Sequence, residues 1–268
     1  MITIRDLYRE LNRQIPPALT QDGDNDGLMC CPSPEHPANR ILVTLDITDQ
    51  AVNYAIANRF DLIVSHHPLM FRGIKRLDPD NPVARKTIAL CRADIAAFSF
   101  HTRLDALSGG VNDALAALLG LSHTTPFGSG LAPMGRIGDW EPDSTSHSAT
   151  EFAEHVANQL HCPCVLLSDA GRPVRRVAVL GGEGKDEWTA VLATGADTFV
   201  SGRIGYHLMV DAPETGMNLI EAGHYYTEFP VCRVLEQLLR SIVPESNIEI
   251  FNGNTERIRC IRKPLQKS

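Results

Sequence analysis

Ser65-His66-His67-Pro68 follows the apolar run Leu62-Ile63-Val64. Two adjacent imidazoles at the exit of a buried strand are hard to explain by packing. Open α/β sheets bind their ligands outside the carboxyl ends of the strands. Neighbouring residues of a regular strand point to opposite faces. His66 and His67 can therefore serve one site only through an irregular turn, which Pro68 helps to enforce. The pair suits two metal ligands, one for each of two ions. The competing reading is one capping and one exposed histidine.

His101, Asp105, His224 and Glu228 also fall just past expected strand ends. They form two His-x-x-x-acid units, His101-Thr102-Arg103-Leu104-Asp105 and His224-Tyr225-Tyr226-Thr227-Glu228. On a helix, this spacing puts both side chains on one face. The set offers N and O donors without thiolate, which suits Zn, Mn, Fe, Co or Ni. A catalytic zinc uses about three protein ligands, so five or six candidates argue for two ions. A carboxylate can bridge ions about 3.5–4 Å apart, and such a pair can generate hydroxide and polarise a phosphoryl or carbonyl oxygen. Asp105 and Glu228 are the bridging candidates. His101 is the candidate for general acid–base work or for orienting a ligand. His36, His123, His147, His155 and His161 lie in loops, polar segments or a surface-type helix and are expected to be solvated. His207, near a second Val-Ser strand end, is a weaker candidate for the cleft.

The elements that must position these groups alternate. Ile4, Leu7, Tyr8 and Leu11 have helical spacing behind a Thr3 cap. Strands are expected at 41–45, 62–65 and 95–100. The helices between and after them begin near Ala51, at Asn81-Pro82 and at Val111, the last stopped by Gly120. Residues 121–149 read as a connection, with a short strand near Gly135-Arg136-Ile137. A second series follows: helices at 150–160, 186–194 and 229–242, and strands near 164–168, 174–180, 197–201, 217–221 and 248–251. Such alternation favours mostly parallel sheets covered on both faces.

The halves resemble each other. Asp61-Leu62-Ile63-Val64-Ser65 matches Asp197-Thr198-Phe199-Val200-Ser201, and each half then carries a His-x-x-x-acid unit. This repeat sets His101 opposite His224 and Asp105 opposite Glu228, with a site between the halves. Where the first half has His66-His67, the second has Gly202-Arg203.

Composition narrows the partners. The chain has 268 residues, 43% hydrophobic and 21% charged, with a formal net charge of −7. That balance argues against general nucleic-acid binding but admits a small anionic substrate in a locally basic pocket. No apolar run is long enough for a membrane helix, and the N-terminus has no apolar signal core; the cytoplasm is expected. Seven scattered cysteines read as reduced thiols, and Cys162-Pro163-Cys164 as structural. Gly181-Gly182-Glu183-Gly184-Lys185 reads as a tight structural turn rather than an anion cradle. Arg72, Lys75 and Arg76 either hold a phosphate or carboxylate or form a solvated basic face.

Several motifs together resemble the GTP cyclohydrolase I type 2 homologue family, the Nif-three-like dinuclear-metal proteins. They are Asp24-Asn25-Asp26-Gly27-Leu28, Leu45-Asp46-Ile47-Thr48, Ile63-Val64-Ser65-His66-His67-Pro68-Leu69, His101-Thr102-Arg103-Leu104-Asp105, Gly110-Val111-Asn112-Asp113 and Gly223-His224-Tyr225-Tyr226-Thr227-Glu228. They follow the family's order across nearly the whole chain. The resemblance implies two divalent ions per chain, with His66, His67, Asp105, His224 and Glu228 as ligands and His101 close by. It also implies the compact form of the fold and a toroidal homohexamer with metal sites facing an inner cavity. Two positions depart from the pattern: Arg103, where the family often has Asn, and Ser201-Gly202-Arg203, where it often has Thr-Gly-Asp. Both are expected to put cations near the cleft.

The fold expected is α/β: two related α/β subdomains with mixed, mostly parallel sheets, spanning 1–125 and 126–268, and a dinuclear metal site in the cleft between them. The C-terminal segment is free to pack back on the first subdomain. The first functional reading is a metal-dependent hydrolase acting on a nucleotide-like or phosphorylated small molecule. The alternative is an oligomeric metal-binding regulatory or chaperone-like protein without turnover.

Overall fold

Short runs of β-branched and other apolar residues build the strands, and their side chains alternate between two cores. In the computed structural model, which describes residues 2–130, 132–142 and 147–253, these runs form two mixed sheets. The strands are β1 (Gly27–Cys30), β2 (Arg40–Thr44), β3 (Leu62–Ser65), β4 (Ala96–Ser99), β5 (Ser122–Phe127), β6 (Gly135–Asp139), β7 (Leu166–Ser168), β8 (Arg176–Glu183), β9 (Thr198–Arg203), β10 (Asn218–Glu221) and β11 (Asn247–Ile250). The first sheet has the order β1-β4-β3-β2-β11 and the second β5-β6-β8-β9-β10-β7. In the first, β4, β3, β2 and β11 run parallel, and only β1 is antiparallel. In the second, β8, β9 and β10 are parallel, while β5, β6 and β7 add antiparallel pairings at the two edges.

The helices are α1 (Ile4–Gln14), α2 (Asp49–Ala57), α3 (Pro82–Arg92), α4 (Thr102–Ala106), α5 (Val111–Leu118), α6 (Ala149–Gln159), α7 (Trp188–Ala193), α8 (Tyr206–Asp211), α9 (His224–Glu228) and α10 (Val231–Ile242). Local chemistry starts several of them. Thr3 Oγ1 accepts from Asp6 N, Asn81 Oδ1 from Val83 N and Ala84 N with Pro82 at the first position, and Ser148 and Glu151 form a capping box. Among the described residues no helix is long and apolar enough to cross a membrane.

Period-two alternation divides each sheet's side chains. Ile41, Val43, Leu62, Val64 and Phe98 face a core shared with α1 and α10, whereas Leu42, Ile63 and Ala97 face α2 and α3. In the second sheet Val177, Val179 and Val200 face α6, and Ala178, Leu180 and Phe199 face the α7–α8 side. Because both faces are covered, the parallel strands read as continuous apolar runs.

The departures from expectation lie at edges. Strand β5 begins at Ser122, inside the segment read as a connection, and belongs to the second sheet. Its residues 122–126 are exposed, so no burial pattern marked it. Helix α10 packs on the first sheet's core and β11 pairs with β2, so the C-terminal part of the chain returns to the first sheet. Residues 143–146, within the expected connection, and the chain beyond 253 lie outside the described residues.

Candidate metal centre

The turn after β3 puts both histidines on the same side. Ser65 Oγ donates to His67 O at 2.7 Å and lies 2.8 Å from Ser99 Oγ, tying the turn to the end of β4. His66 N and His67 N donate to Thr44 O and Leu45 O, so the chain still follows β2 while leaving regular strand geometry. His66 is fully buried, and its ring centroid lies 5.0 Å from that of His67.

Each of three histidines is held from behind through Nδ1. His66 Nδ1 is 2.9 Å from Phe100 O, His67 Nδ1 is 2.7 Å from Asp46 Oδ1, and His101 Nδ1 is 2.9 Å from Asp24 Oδ1. An Nδ1–H given to a carbonyl or carboxylate fixes the ring and leaves the Nε2 lone pair facing forward, the usual preparation of a metal-ligating histidine. Asp24 also accepts from Thr102 N and Oγ1, and Asp26 accepts from His101 N, so the first turn of α4 is tethered as well.

The acids arrive on two short helices. Asp105 comes on α4, and His224 and Glu228 come on α9, one turn apart, with His224 Nε2 2.9 Å from Glu228 Oε2. Glu228 Oε2 is also 2.9 Å from His67 Nε2. His66 Nε2 lies 3.7 Å from Asp105 Oδ1 and 3.8 Å from Glu228 Oε1, and this buried nitrogen has no hydrogen-bond partner. Three groups of donors converge within 4.8 Å: His66-His67-His101, His67-His224-Glu228 and His66-Asp105-Glu228. An orphaned buried imidazole nitrogen ringed by carboxylates is what a divalent cation would satisfy. These residues fit a metal ion.

The electrostatics agree. Burial and the neighbouring Glu228 charge push Asp105 up to about 8. Burial also opposes the Glu228 charge, but the facing imidazoles of His224, His67 and His66 hold that carboxyl well below its usual range. Burial works against a charged His67, yet Asp46 and Glu228 raise it to about 10. Asp24, despite burial, is held well below the usual range by His101 and Thr102. Asp105 and Glu228 repel each other when both are charged, and His67 and His224, both raised by Glu228, are set against them.

The second sheet contributes space. A Cβ on Gly182, whose φ is +69°, would sit 2.1 Å from Glu228 Oε1, and one on Gly202 would sit 2.6 Å from Thr227 Oγ1. Of the glycine segment, Gly181, Gly182 and Glu183 belong to β8, whose register shifts there, and Gly184-Lys185 lead into a short 3-10 turn. Gly181 N donates to Asn112 Oδ1 and Gly182 N to Thr227 Oγ1, so neither amide is left for an anion.

Two expectations are corrected. Arg103 does not face the cleft. It is 1% exposed, paired with Asp26 at 2.8 Å, bonded to Asn12 and Ile15 O, and stacked over Phe100. Its guanidinium needs that many partners because it is buried. The pairing of His101 with His224 and of Asp105 with Glu228 is also one residue out. His101 caps α4 as Gly223 caps α9, so Thr102 is the counterpart of His224 and Ala106 that of Glu228.

His207 lies on α8 beside Tyr206 and joins none of the three donor groups. Asp24 and Asp46, the anchors of two histidines, went unassigned as such. Asp46 follows the strand at 41–45 directly, and an acid at a strand end facing a strand-end histidine was the available signal.

The model of the DUF34/NIF3 (NGG1p interacting factor 3) family matches residues 2–257. The chain belongs to the DUF34/NIF3 family. Among DUF34/NIF3 relatives, it is 31% identical over 250 residues to the Lactococcus lactis protein named GTP cyclohydrolase 1 type 2 homolog, covering 93% of this chain and 95% of that one. A Clostridium perfringens protein of the same name is 30% identical, covering 85% of this chain and 87% of that one. The fold matches a Staphylococcus aureus hypothetical protein, SA1388, with a TM-score of 0.87 and 25% identity, covering 97% of this chain and 99% of that one. Two mixed α/β sheets are thus the fold of this DUF34/NIF3 chain and of its solved neighbours.

Proposed function

We propose that the protein is a dinuclear-metal-dependent hydrolase acting on a nucleotide-like or phosphorylated small molecule. The observation that carries this is the sharing of donors: His66, His67 and Glu228 each belong to two converging groups. One ion needs only one such group, so overlapping groups support two neighbouring ions. The ligands are His66, His67, Asp105, His224 and Glu228. A bound ion pair would activate water and polarise a phosphoryl or carbonyl oxygen.

The chain's own groups do the rest. Asp46 and the Phe100 carbonyl orient His67 and His66. His101, oriented by Asp24, presents Nε2 at the edge of the cluster and is assigned proton transfer. The name borne by the L. lactis and C. perfringens relatives favours a nucleotide-like substrate. A cytoplasmic homohexamer completes the reading.

Metal analysis paired with a phosphatase and nucleotide-hydrolase screen tests it. Two metals per chain with turnover, both lost in Asp105→Asn, are expected. If Asp105→Asn keeps two metals, the bridging assignment is wrong. If the wild type holds two metals yet turns over nothing in a broad screen, a metal-binding protein without turnover is the better description.

A further inference from the structure

We propose that the segment between β3 and α3 is the substrate-binding arm of the metal centre. It would take a planar ring against Phe71 and the phosphate carried by that ring on Arg72, Lys75 and Arg76. The reaction performed on such a ligand rests on the hydrolase reading; its binding does not.

Residues 66–81 form neither helix nor strand. So long an irregular stretch is uncommon within a compact domain and is usually functional. It also leaves the carboxyl end of a parallel strand, where α/β sheets bind ligands. The base of the arm is fixed: Leu69 is buried in the core under α2 and α3, and Asn25 Nδ2 donates to Met70 O. Beyond Met70 the side chains turn outward.

Phe71 is 54% exposed, and its ring stands perpendicular to that of His101 with centroids 6.1 Å apart. The same side chain lines a cavity of about 770 Å³ with Pro68, Arg72, Lys75 and Arg76. One aromatic ring therefore borders both the metal cluster and a cavity large enough for a small organic ligand. Arg72, Lys75 and Arg76 are exposed and have no ion-pair partner among the described residues. Asp78 is the acid on the cavity wall, and its carboxylate accepts from Asp80 N within its own turn. Three cations against one acid make this wall locally positive on a chain whose net charge is −7. Guanidinium and ammonium groups with no internal partner suit phosphate oxygens, and an exposed phenyl beside them suits the face of a ring.

The test is calorimetric titration of the metal-loaded protein with 1-naphthyl phosphate, inorganic phosphate and 1-naphthol. Naphthyl phosphate is expected to bind about tenfold or more tighter than either fragment, because ring and phosphate contacts add. The combined variant Arg72→Ala/Lys75→Ala/Arg76→Ala should lose about tenfold or more of that affinity, as expected for lost charge-assisted contacts. Phe71→Ala should reduce naphthyl phosphate to the level of inorganic phosphate. All substituted side chains are exposed, and metal content should be the same in every variant.

Unchanged binding in the combined variant would overturn the proposal. So would a Phe71→Ala protein with altered mass by light scattering and unaltered binding, since Phe71 would then cover another copy of the chain. The two readings separate cleanly. Loop variants that alter naphthyl phosphate binding in a protein that takes up no metal sink the hydrolase and leave the arm. A metal-loaded, active protein indifferent to all loop variants sinks the arm and leaves the hydrolase.

Discussion

In the first half, Asp61 Oδ2 accepts the backbone N–H groups of Asn39 and Arg40 at the start of β2; in the second, Asp197 accepts those of Arg175 and Arg176 at the start of β8. Asp61 N donates to Arg40 O at 2.9 Å, and Asp197 N to Arg176 O at 3.0 Å. Val43 pairs with Val64 as Val179 pairs with Val200, and Phe100 N reaches Ser65 O as Ala222 N reaches Ser201 O. The same frame of three parallel strands is therefore built twice. Followed to its carboxyl end, this equivalence sets Asp46 against Gly182, His66 against Gly202 and His67 against Arg203. The first half ends these strands in His66 and His67, which could hold a metal ion, and in Asp46, which orients His67. The second ends them in glycines, whose missing Cβ atoms leave room for Glu228 and Thr227. One side thus gives side chains that could hold a metal ion, and the other gives space.

The helices after the third strand differ by one step. Leu107 N donates to Arg103 O as Phe229 N donates to Tyr225 O, which aligns α4 with α9 and sets Asp105 against Thr227. A one-residue step turns a side chain by about 100° on a helix. The two helices thus present different faces, and their acids approach His66 from different directions, at 3.7 Å and 3.8 Å.

The sharpest way to break this asymmetry is Glu228→Gln. Glu228 joins two of the three donor groups, so metal content should fall below that of the wild type. Any activity should drop by more than the ~10–100-fold typical of losing an outer partner of a metal site. Elemental analysis of the purified variant checks this, and two metals retained would remove Glu228 from the ligand set. Gly182→Ala comes next. It adds a Cβ at φ +69°, 2.1 Å from Glu228 Oε1. We expect a stability loss of about 1–3 kcal/mol from the strained conformation and the overlap, together with weakened metal binding. Denaturant titration and metal analysis should move together; a stable, fully loaded variant would mean that the glycine is not what makes room.

Much of this was legible because periodicity and chemistry agreed. The strand at 62–65, its histidine exit, the helix caps at Thr3 and Asn81 and the six chemical residues could all be read from residue type and spacing. Edges were not. Strand β5 is exposed along Ser122–Thr125 and β1 alternates over only four residues, so neither carried a burial signal. Arg103 could not be placed because its role depends on Asp26 and Asn12, far away in sequence. The repeat was visible at Asp61 and Asp197, but only the strand register and the helix caps expose the one-residue step.

Proton competition sharpens the comparison from the first half's side. Asp46 and Glu228 raise His67 to about 10, and burial with Glu228 raises Asp105 to about 8. A ligand must shed its proton before it binds a cation. Metal affinity should therefore strengthen from about pH 6 to about pH 9, with proton release visible as buffer-dependent heat of binding. A flat profile would contradict the assignment of these two residues. Asp24→Asn should act more weakly. It leaves the donors in place but loosens His101, and a loss of about tenfold in activity or affinity is expected for a partner of this kind.

The smallest expected effect on the centre comes from the two aspartates that define the repeat. Asp61→Ala and Asp197→Ala each strand backbone N–H groups at a strand start, far from the donors, so metal content should not change. Both should destabilise, by about 1–3 kcal/mol for lost hydrogen bonds to a charged acceptor. Asp197 should stand at the upper end. It is buried and also accepts from Thr198 Oγ1, whereas Asp61 is only half-buried and water can replace part of what it loses. Denaturant unfolding of the two variants beside metal analysis decides the matter. Equal metal content with Asp197→Ala the less stable supports a frame built twice and a chemistry built once. Metal lost in either variant would mean that the frame and the chemistry cannot be separated.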